Sequence, residues 1–187
     1  MTRTLEFYYD YGSPYSYLAA ERLGELDAVA DVRWQPFFLP GIFQVTGNAA
    51  PGLHPLKGKY LFQDIARLAA HYQLPLQFPS QFPINSVTAM RALLSLSETE
   101  RPAASRRVFR AYWAEGRDVV DLKVLTELLG ESAVERAQHE DIKQGLRAAT
   151  EQAAARGAFG APTFFFGDEM YWGEDRLFLL VDRLSAH

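Results

Sequence analysis

The sequence predicts an α/β protein in which one sheet domain is interrupted by a large all-helical insertion. Three observations predict it. Strand-like runs gather near the two ends of the 187-residue chain. Residues from about 85 to 156 carry helical patterning alone. Each end couples its strands to a helix, giving the orders β-α-β at the start and β-β-α at the finish.

"TLEFYY" (4–9) is rich in β-prone aromatics and reads as the first strand. A helix is expected over 14–29, with Ser13 as N-cap and Pro14 at the first position, where a missing N–H costs nothing. Its apolar residues Tyr15, Ala19, Leu23 and Leu26 recur at helical spacing. "DVRWQPFFL" (31–39) reads as a second strand, stopped by Pro40-Gly41. The loop 46–58 is too rich in Gly and Pro, and too long, for an idle connection. A helix over 57–72 places Leu61, Ile65, Leu68 and Tyr72 on one face, and 74–83 is extended. Helices follow at 85–98, 102–116 and 121–129, then a Ser132-x-x-Glu135 capping box, then 139–156. "TFFF" and "EMYW" form two strands joined by a Gly-Asp turn, and a last helix over 174–185 carries Leu177, Leu180, Val181 and Leu184. The expected division is residues 1–56 with 157–187 as a discontinuous sheet domain and 57–156 as a helical insertion. The outer pieces have the element order of a thioredoxin-like sheet.

The chain contains no cysteine, which excludes disulfides, thiolate metal sites and a thiol nucleophile of its own. His54, His71, His139 and His187 show no metal-ligand spacing, so no metal site is expected. A net charge of −4 without a long basic run argues against nucleic acid and anionic membrane surfaces as partners. The charged start (Arg3, Glu6, Asp10) is unlike a secretory signal, and the longest apolar stretch is short of a membrane span. A cytoplasmic location is expected.

Ser13 and Ser16 stand three residues apart at a strand-to-helix corner, the spacing at which redox proteins set two thiols. A helix N-terminus offers unpaired N–H groups and a positive dipole end, which favour an anion such as a thiolate. A serine there can add one donor, or it can simply cap the helix. Pro162, after the small residue Ala161, either lies in cis opposite such a corner or begins an edge strand in trans. Glu174 and Asp175 open the last helix as capping acids or as partners for a ligand ammonium. Asn48 and Lys57 contact an anionic ligand or are solvated.

Taken together, "YYDYGSPYSYLA", "GNAAPGLHPLKGKYLFQDIAR", "LPLQFPSQFPINS" and "GAFGAPTFFFGDEMYWGEDRL", in that order, resemble the kappa-class glutathione transferases and the 2-hydroxychromene-2-carboxylate isomerases. These form part of the DsbA-like branch of the thioredoxin superfamily. The resemblance covers nearly the whole chain. It implies glutathione as cofactor, a small aromatic substrate and a homodimer. Ser13 would be the catalytic serine that hydrogen-bonds the glutathione sulfur. Asn48 and Lys57 would contact glutathione or substrate, and the Ala161 backbone, before a cis Pro162, would pair with the cysteinyl unit. Gly173, Glu174 and Asp175 would hold the γ-glutamyl end, although relatives often have Asn or Ser where this chain has Glu174. Lys57, Tyr60 and Trp172, with Phe37 and Phe38, would line the substrate pocket.

The implied activity is a glutathione-dependent isomerisation of 2-hydroxychromene-2-carboxylate. A kappa-like transferase or peroxidase and a non-catalytic thioredoxin-like binding module are the alternatives. A free thiol of pKa near 8.5 is only about 3% thiolate at pH 7. Lowering that value by roughly two units requires about 2.7 kcal/mol, which a helix N-terminus and one hydroxyl can supply.

Overall fold

In the computed structural model, which describes residues 3–26 and 28–186, a four-stranded sheet is built from both ends of the chain. Strand β1 (Thr4–Tyr9) runs parallel to β2 (Asp31–Pro36), with Phe7 opposite Trp34. Helix α1 (Pro14–Arg22) makes the crossover between them. Strands β3 (Thr163–Phe166) and β4 (Glu169–Trp172) form a hairpin, and β3 pairs antiparallel with β1. The sheet order is β2-β1-β3-β4. Gly167 takes φ +59° at the first turn position of that hairpin, where a side chain would be strained.

Strand β1 is buried on both faces because its residues alternate between two cores. Leu5, Phe7 and Tyr9 face the larger core with Trp34, Phe164 and Leu180. Tyr8 faces the smaller core with Phe37, Ile42, Ala153 and Phe165. Phe7 stacks on Phe164 at 5.1 Å and meets Trp34 edge-on at 5.0 Å. Such ring pairs add about 1 kcal/mol each beyond the area they bury.

Between the two halves of the sheet lie α2 (Leu39–Thr46), α3 (Pro55–His71), α4 (Val87–Leu94), α5 (Arg101–Trp113), α6 (Leu122–Leu129), α7 (Glu131–Arg136) and α8 (Glu140–Ala155). A 3-10 turn at Glu174–Arg176 leads into α9 (Leu177–Ser185).

Several expectations change in detail. The first helix ends at Arg22 and a 3-10 turn covers Leu23–Leu26; Asp27 lies outside the described residues, as do Met1, Thr2 and His187. The second strand stops at Pro36, and Leu39 starts a helix that the sequence reading ran together with strand. Pro40 sits in the first turn of that helix, where no N–H is missed. The 46–58 segment is therefore mostly ordered: α2 closes on Gly47 at φ +69°, a 3-10 turn occupies Pro51–Leu53, and α3 begins at Pro55. The capping box is absent. Gly130 precedes α7, Ser132 lies inside it, and no side chain caps it.

Arg101 fastens the helical stretch to the sheet edge. It is 8% exposed, and it donates to Trp34 O (3.1 Å) on β2 and to Leu93, Leu94 and Leu96 O (3.0–3.3 Å) at the end of α4. A cation at a helix C-terminus satisfies open carbonyls and complements the dipole. Replacing it by an apolar residue removes a donor from each of those carbonyls, although Leu93 O keeps another, the Leu96 N–H at 3.2 Å. Arg101→Leu is expected to lower the unfolding free energy by about 2–4 kcal/mol in urea titrations; a loss under about 0.5 kcal/mol would refute this role.

Candidate functional site

The corner between β1 and α1 is set by Asp10, Ser13 and Pro14. Ser13 is extended (φ −94°, ψ 116°), and its Oγ accepts the Ser16 N–H (3.2 Å) as the N-cap of α1. Its own N–H donates to Asp10 O (3.0 Å). Pro14 takes the first turn. Helix α1 therefore points its N-terminus at the space above Ser13, the arrangement that stabilises an anion.

Ala161 comes to this corner from 148 residues further on. The Ala161–Pro162 peptide is cis, and the Ser13 hydroxyl donates to Ala161 O at 3.0 Å. Ser13 and Pro162 are both buried there. Pro162 O accepts the Gly173 N–H (3.0 Å), which sets Gly173 beside the same seam. Gly173 has φ +106°, and a Cβ there would collide with the Asp175 carboxylate. Asn48 donates from Nδ2 to Phe159 O (3.1 Å), so the loop after α2 meets the loop before Pro162. Trp172 closes over this loop: its ring is 4.8 Å from that of Phe159, and its indole packs so near Gly160 that no Cβ fits.

Helix α3 reaches the corner through Asp64. Tyr15 donates to Asp64 Oδ2 (2.8 Å) and Tyr60 to Oδ1 (3.4 Å). Burial, then the Asp64 carboxylate, pushes the Tyr15 phenol above its ordinary pKa, so it stays a donor. Lys57 and Tyr60 lie exposed at the start of α3, beside the exposed Leu53 and Leu56.

The two acids at the start of the last helix part company. Asp175 is exposed and pairs with Arg176 (2.9 Å). The Glu174 side chain turns inward: it is 2% exposed, takes Arg22 Nη1 at 2.7 Å and accepts from the Tyr72 hydroxyl at 3.4 Å. Arg22 lies 4.0 Å over the Tyr72 ring. Burial raises the Glu174 pKa, and Arg22 opposes that rise. Phe37 is fully buried against Tyr8, so it belongs to the core and has no surface to offer a substrate. Phe38 is half-buried and packs against the larger core.

The structure thus draws Ser13, Ala161, Pro162, Gly173 and Asn48 into one bonded neighbourhood, with Trp172 beside it. Tyr60 joins through Asp64, while Lys57 lies exposed on the first turn of α3. Sequence patterning gives Asp10, Tyr15 and Tyr72 only structural or charge roles and singles out neither Arg22 nor Asp64, yet all five bond around the site. Arg22 and Glu174 are 152 positions apart, so no local pattern announces the pair. The hydroxyl of Ser16 is buried without a partner. Among the described residues no group of His, Asp or Glu is placed to hold a metal, and no helix is long and apolar enough to cross a membrane.

The corner thus offers a helix N-terminus, a hydroxyl and the backbone of Ala161 side by side. Comparison with known proteins gives the family. Residues 4–185 match the model of the DSBA-like thioredoxin domain. The chain is 37% identical to 2-hydroxychromene-2-carboxylate isomerase of Pseudomonas putida, over 97% of this chain and 94% of that protein. It is 33% identical to human glutathione S-transferase kappa 1, over 99% and 92% of the two chains. A solved structure of 2-hydroxychromene-2-carboxylate isomerase superposes with a TM-score of 0.87 at 34% identity, covering 98% of this chain and 95% of that one.

The buried Glu174 carboxyl has a measurable signature. Its folded pKa lies above the unfolded value, so the stability it contributes is present at low pH and is lost as pH rises through the folded pKa. The advantage of wild type over Glu174→Gln in urea titrations is expected to shrink from pH 4 towards neutrality. An advantage that grows over this range would reverse the assignment.

Proposed function

The chain belongs to the DSBA-like thioredoxin family, among the 2-hydroxychromene-2-carboxylate isomerases and kappa-class glutathione transferases, and from that premise we propose that it is a glutathione-dependent isomerase of small aryl-pyruvates. The substrate pair is 2-hydroxychromene-2-carboxylate and trans-o-hydroxybenzylidenepyruvate. One observation carries the reading. A chain without cysteine keeps a hydroxyl at the N-terminus of α1, against the backbone before a cis proline.

In this reading the backbone of Ala161 pairs with the cysteinyl unit of glutathione. The Gly173–Asp175 turn receives the γ-glutamyl end, with Asp175 as the acid that faces its ammonium. Asn48 orients the loop that carries Phe159. When bound, glutathione supplies a thiolate that adds reversibly to the conjugated acceptor and leaves again after bond rotation, without net consumption. Ser13 and the α1 N-terminus hold the sulfur ionised near neutral pH. Lys57 binds the substrate carboxylate, and Tyr60 and Trp172 flank the aromatic ring. The exposed Val45, Leu53 and Leu56 suit a face covered by a second copy, so we read the enzyme as a homodimer; we also read it as cytoplasmic.

A kappa-like transferase is the second reading, favoured by the 33% identity to glutathione S-transferase kappa 1. Both need the same thiolate and differ in the acceptor. The deciding experiment follows the chromene absorbance with and without glutathione while free thiol is titrated. Chromene turnover at constant glutathione is expected. Loss of glutathione to an aryl halide, with no chromene turnover, would favour the transferase, and failure to bind glutathione would leave a binding module. In the isomerase, Ser13→Ala should keep glutathione affinity within a few-fold and lower kcat about tenfold to a hundredfold at neutral pH. An unchanged kcat would remove Ser13 from the mechanism.

A further inference from the structure

Ser13 has one proton to donate, and the structure shows it committed. The Oγ is held as N-cap by the Ser16 N–H (3.2 Å), while the O–H points to Ala161 O (3.0 Å). A hydroxyl is a single donor with two acceptor lone pairs. Ser13 therefore cannot donate to Ala161 O and to a ligand sulfur at the same time. The carbonyl that would receive a ligand amide is the one that holds the Ser13 proton.

We propose that Ala161 O acts as a latch on Ser13: the hydroxyl is released to the glutathione sulfur when Ala161 O accepts the cysteinyl N–H of glutathione instead. The inference rests on the glutathione reading and deepens it. It assigns specificity among thiols to a carbonyl that never touches sulfur. The Oγ need not leave its place, because the Ser16 N–H holds it in either state. Only the O–H bond turns.

The argument is one of donor counting. If a thiol without an amide binds, turning Ser13 to its sulfur strips Ala161 O of its donor. That carbonyl belongs to half-buried Ala161, between buried Ser13 and buried Pro162, where losing the donor it has carries a cost. The new bond to sulfur is then offset by the lost bond to carbonyl, and the sulfur gains little. If the thiol carries a cysteinyl N–H, Ala161 O is supplied again. The Ser13 bond to the charged sulfur is then a net gain, and bonds to ionised acceptors are the stronger kind. Recognition of the ligand backbone and ionisation of its thiol become a single event.

The test reads the thiol pKa of the bound ligand, not turnover. Ultraviolet thiolate absorbance is followed against pH for saturating glutathione and for its depsipeptide analogue, in which an ester oxygen replaces the cysteinyl N–H. Each value is taken relative to the same thiol free in solution. Wild type is expected to depress the glutathione pKa by about one unit more than that of the analogue, a tenfold difference in ionisation, equivalent to about 1.4 kcal/mol. In Ser13→Ala the two ligands should be depressed equally, because no latch remains. Equal depression in wild type overturns the latch while leaving glutathione as the cofactor. A difference that persists in Ser13→Ala overturns it as well, since it would arise from the ester itself. Absence of glutathione binding by calorimetry overturns both the latch and the function it rests on.

Discussion

The Asp10 carboxylate is the constraint on which the site depends. It is 1% exposed and receives three donors: the Gly12 N–H (2.9 Å), the Leu39 N–H (2.9 Å) and the Ser86 hydroxyl (2.8 Å). These come from the β1–α1 turn, the first residue of α2 and the N-cap of α4. A buried carboxylate is tolerable only when its lone pairs are filled, so the three elements converge on it or the chain does not close. Burial raises its pKa, and the three donors pull it down. With all three donors spent on holding elements together, Asp10 serves architecture, and on the proposed reading stabilising a thiolate would fall to the N-terminus of α1 and the Ser13 hydroxyl.

Three successive residues tie this corner to the helical stretch. The Tyr9 hydroxyl is hydrogen-bonded to the Ser105 hydroxyl on α5, Asp10 bonds Ser86, and Tyr11 O accepts the Trp113 indole N–H (2.7 Å). The helices between the two halves of the sheet are therefore not an appendage to a finished domain. They fix the exit of β1, and with it the direction of α1. Ser13 and Ala161 meet across 148 positions of chain. Closing so long a loop costs entropy that grows slowly with length, but such distant pairings delay folding. The bonds from Tyr9, Asp10 and Tyr11, to partners 96, 76 and 102 positions away, are part of what that closure gains.

What was legible in the sequence follows from range. Strand β1, the Ser13-Pro14 start of α1, the β3–β4 hairpin with its Gly167-Asp168 turn and the apolar face of α9 all depend on neighbours within one or two turns of chain. The start of α2 was not legible, because its decisive cap is remote. Phe38 offers no side-chain bond, and the donor at Leu39 is satisfied by Asp10, 29 residues earlier. Pro40-Gly41 then read as an ending when it was a first turn. The Ser132-x-x-Glu135 pattern failed for the opposite reason: the local signal was present, but Gly130 at φ +86° already turned the chain into α7. At the site, the seam around Ser13 and Ala161 was anticipated by family resemblance, whereas the Arg22–Glu174 pair joins residues that no spacing rule connects.

Serine at position 13 also resolves the meaning of a corner built without sulfur. A cysteine there would occupy the helix N-terminus with its own thiolate and compete with an incoming one. A serine hydroxyl does not ionise in this range, so it can only cap, accept and donate. The parts that would handle the thiol are mostly backbone: the N–H groups of α1, the carbonyl of Ala161 and the turn at Gly173. Backbone groups persist under substitution, so sequences that share 37% or 33% identity can hold one thiol chemistry in common. On the proposed reading the difference between isomerising an acceptor and conjugating it would lie in exposed side chains such as Leu56 and Lys57, which make none of the seam's bonds described above. Chemistry and specificity are thereby carried by different layers of the same site.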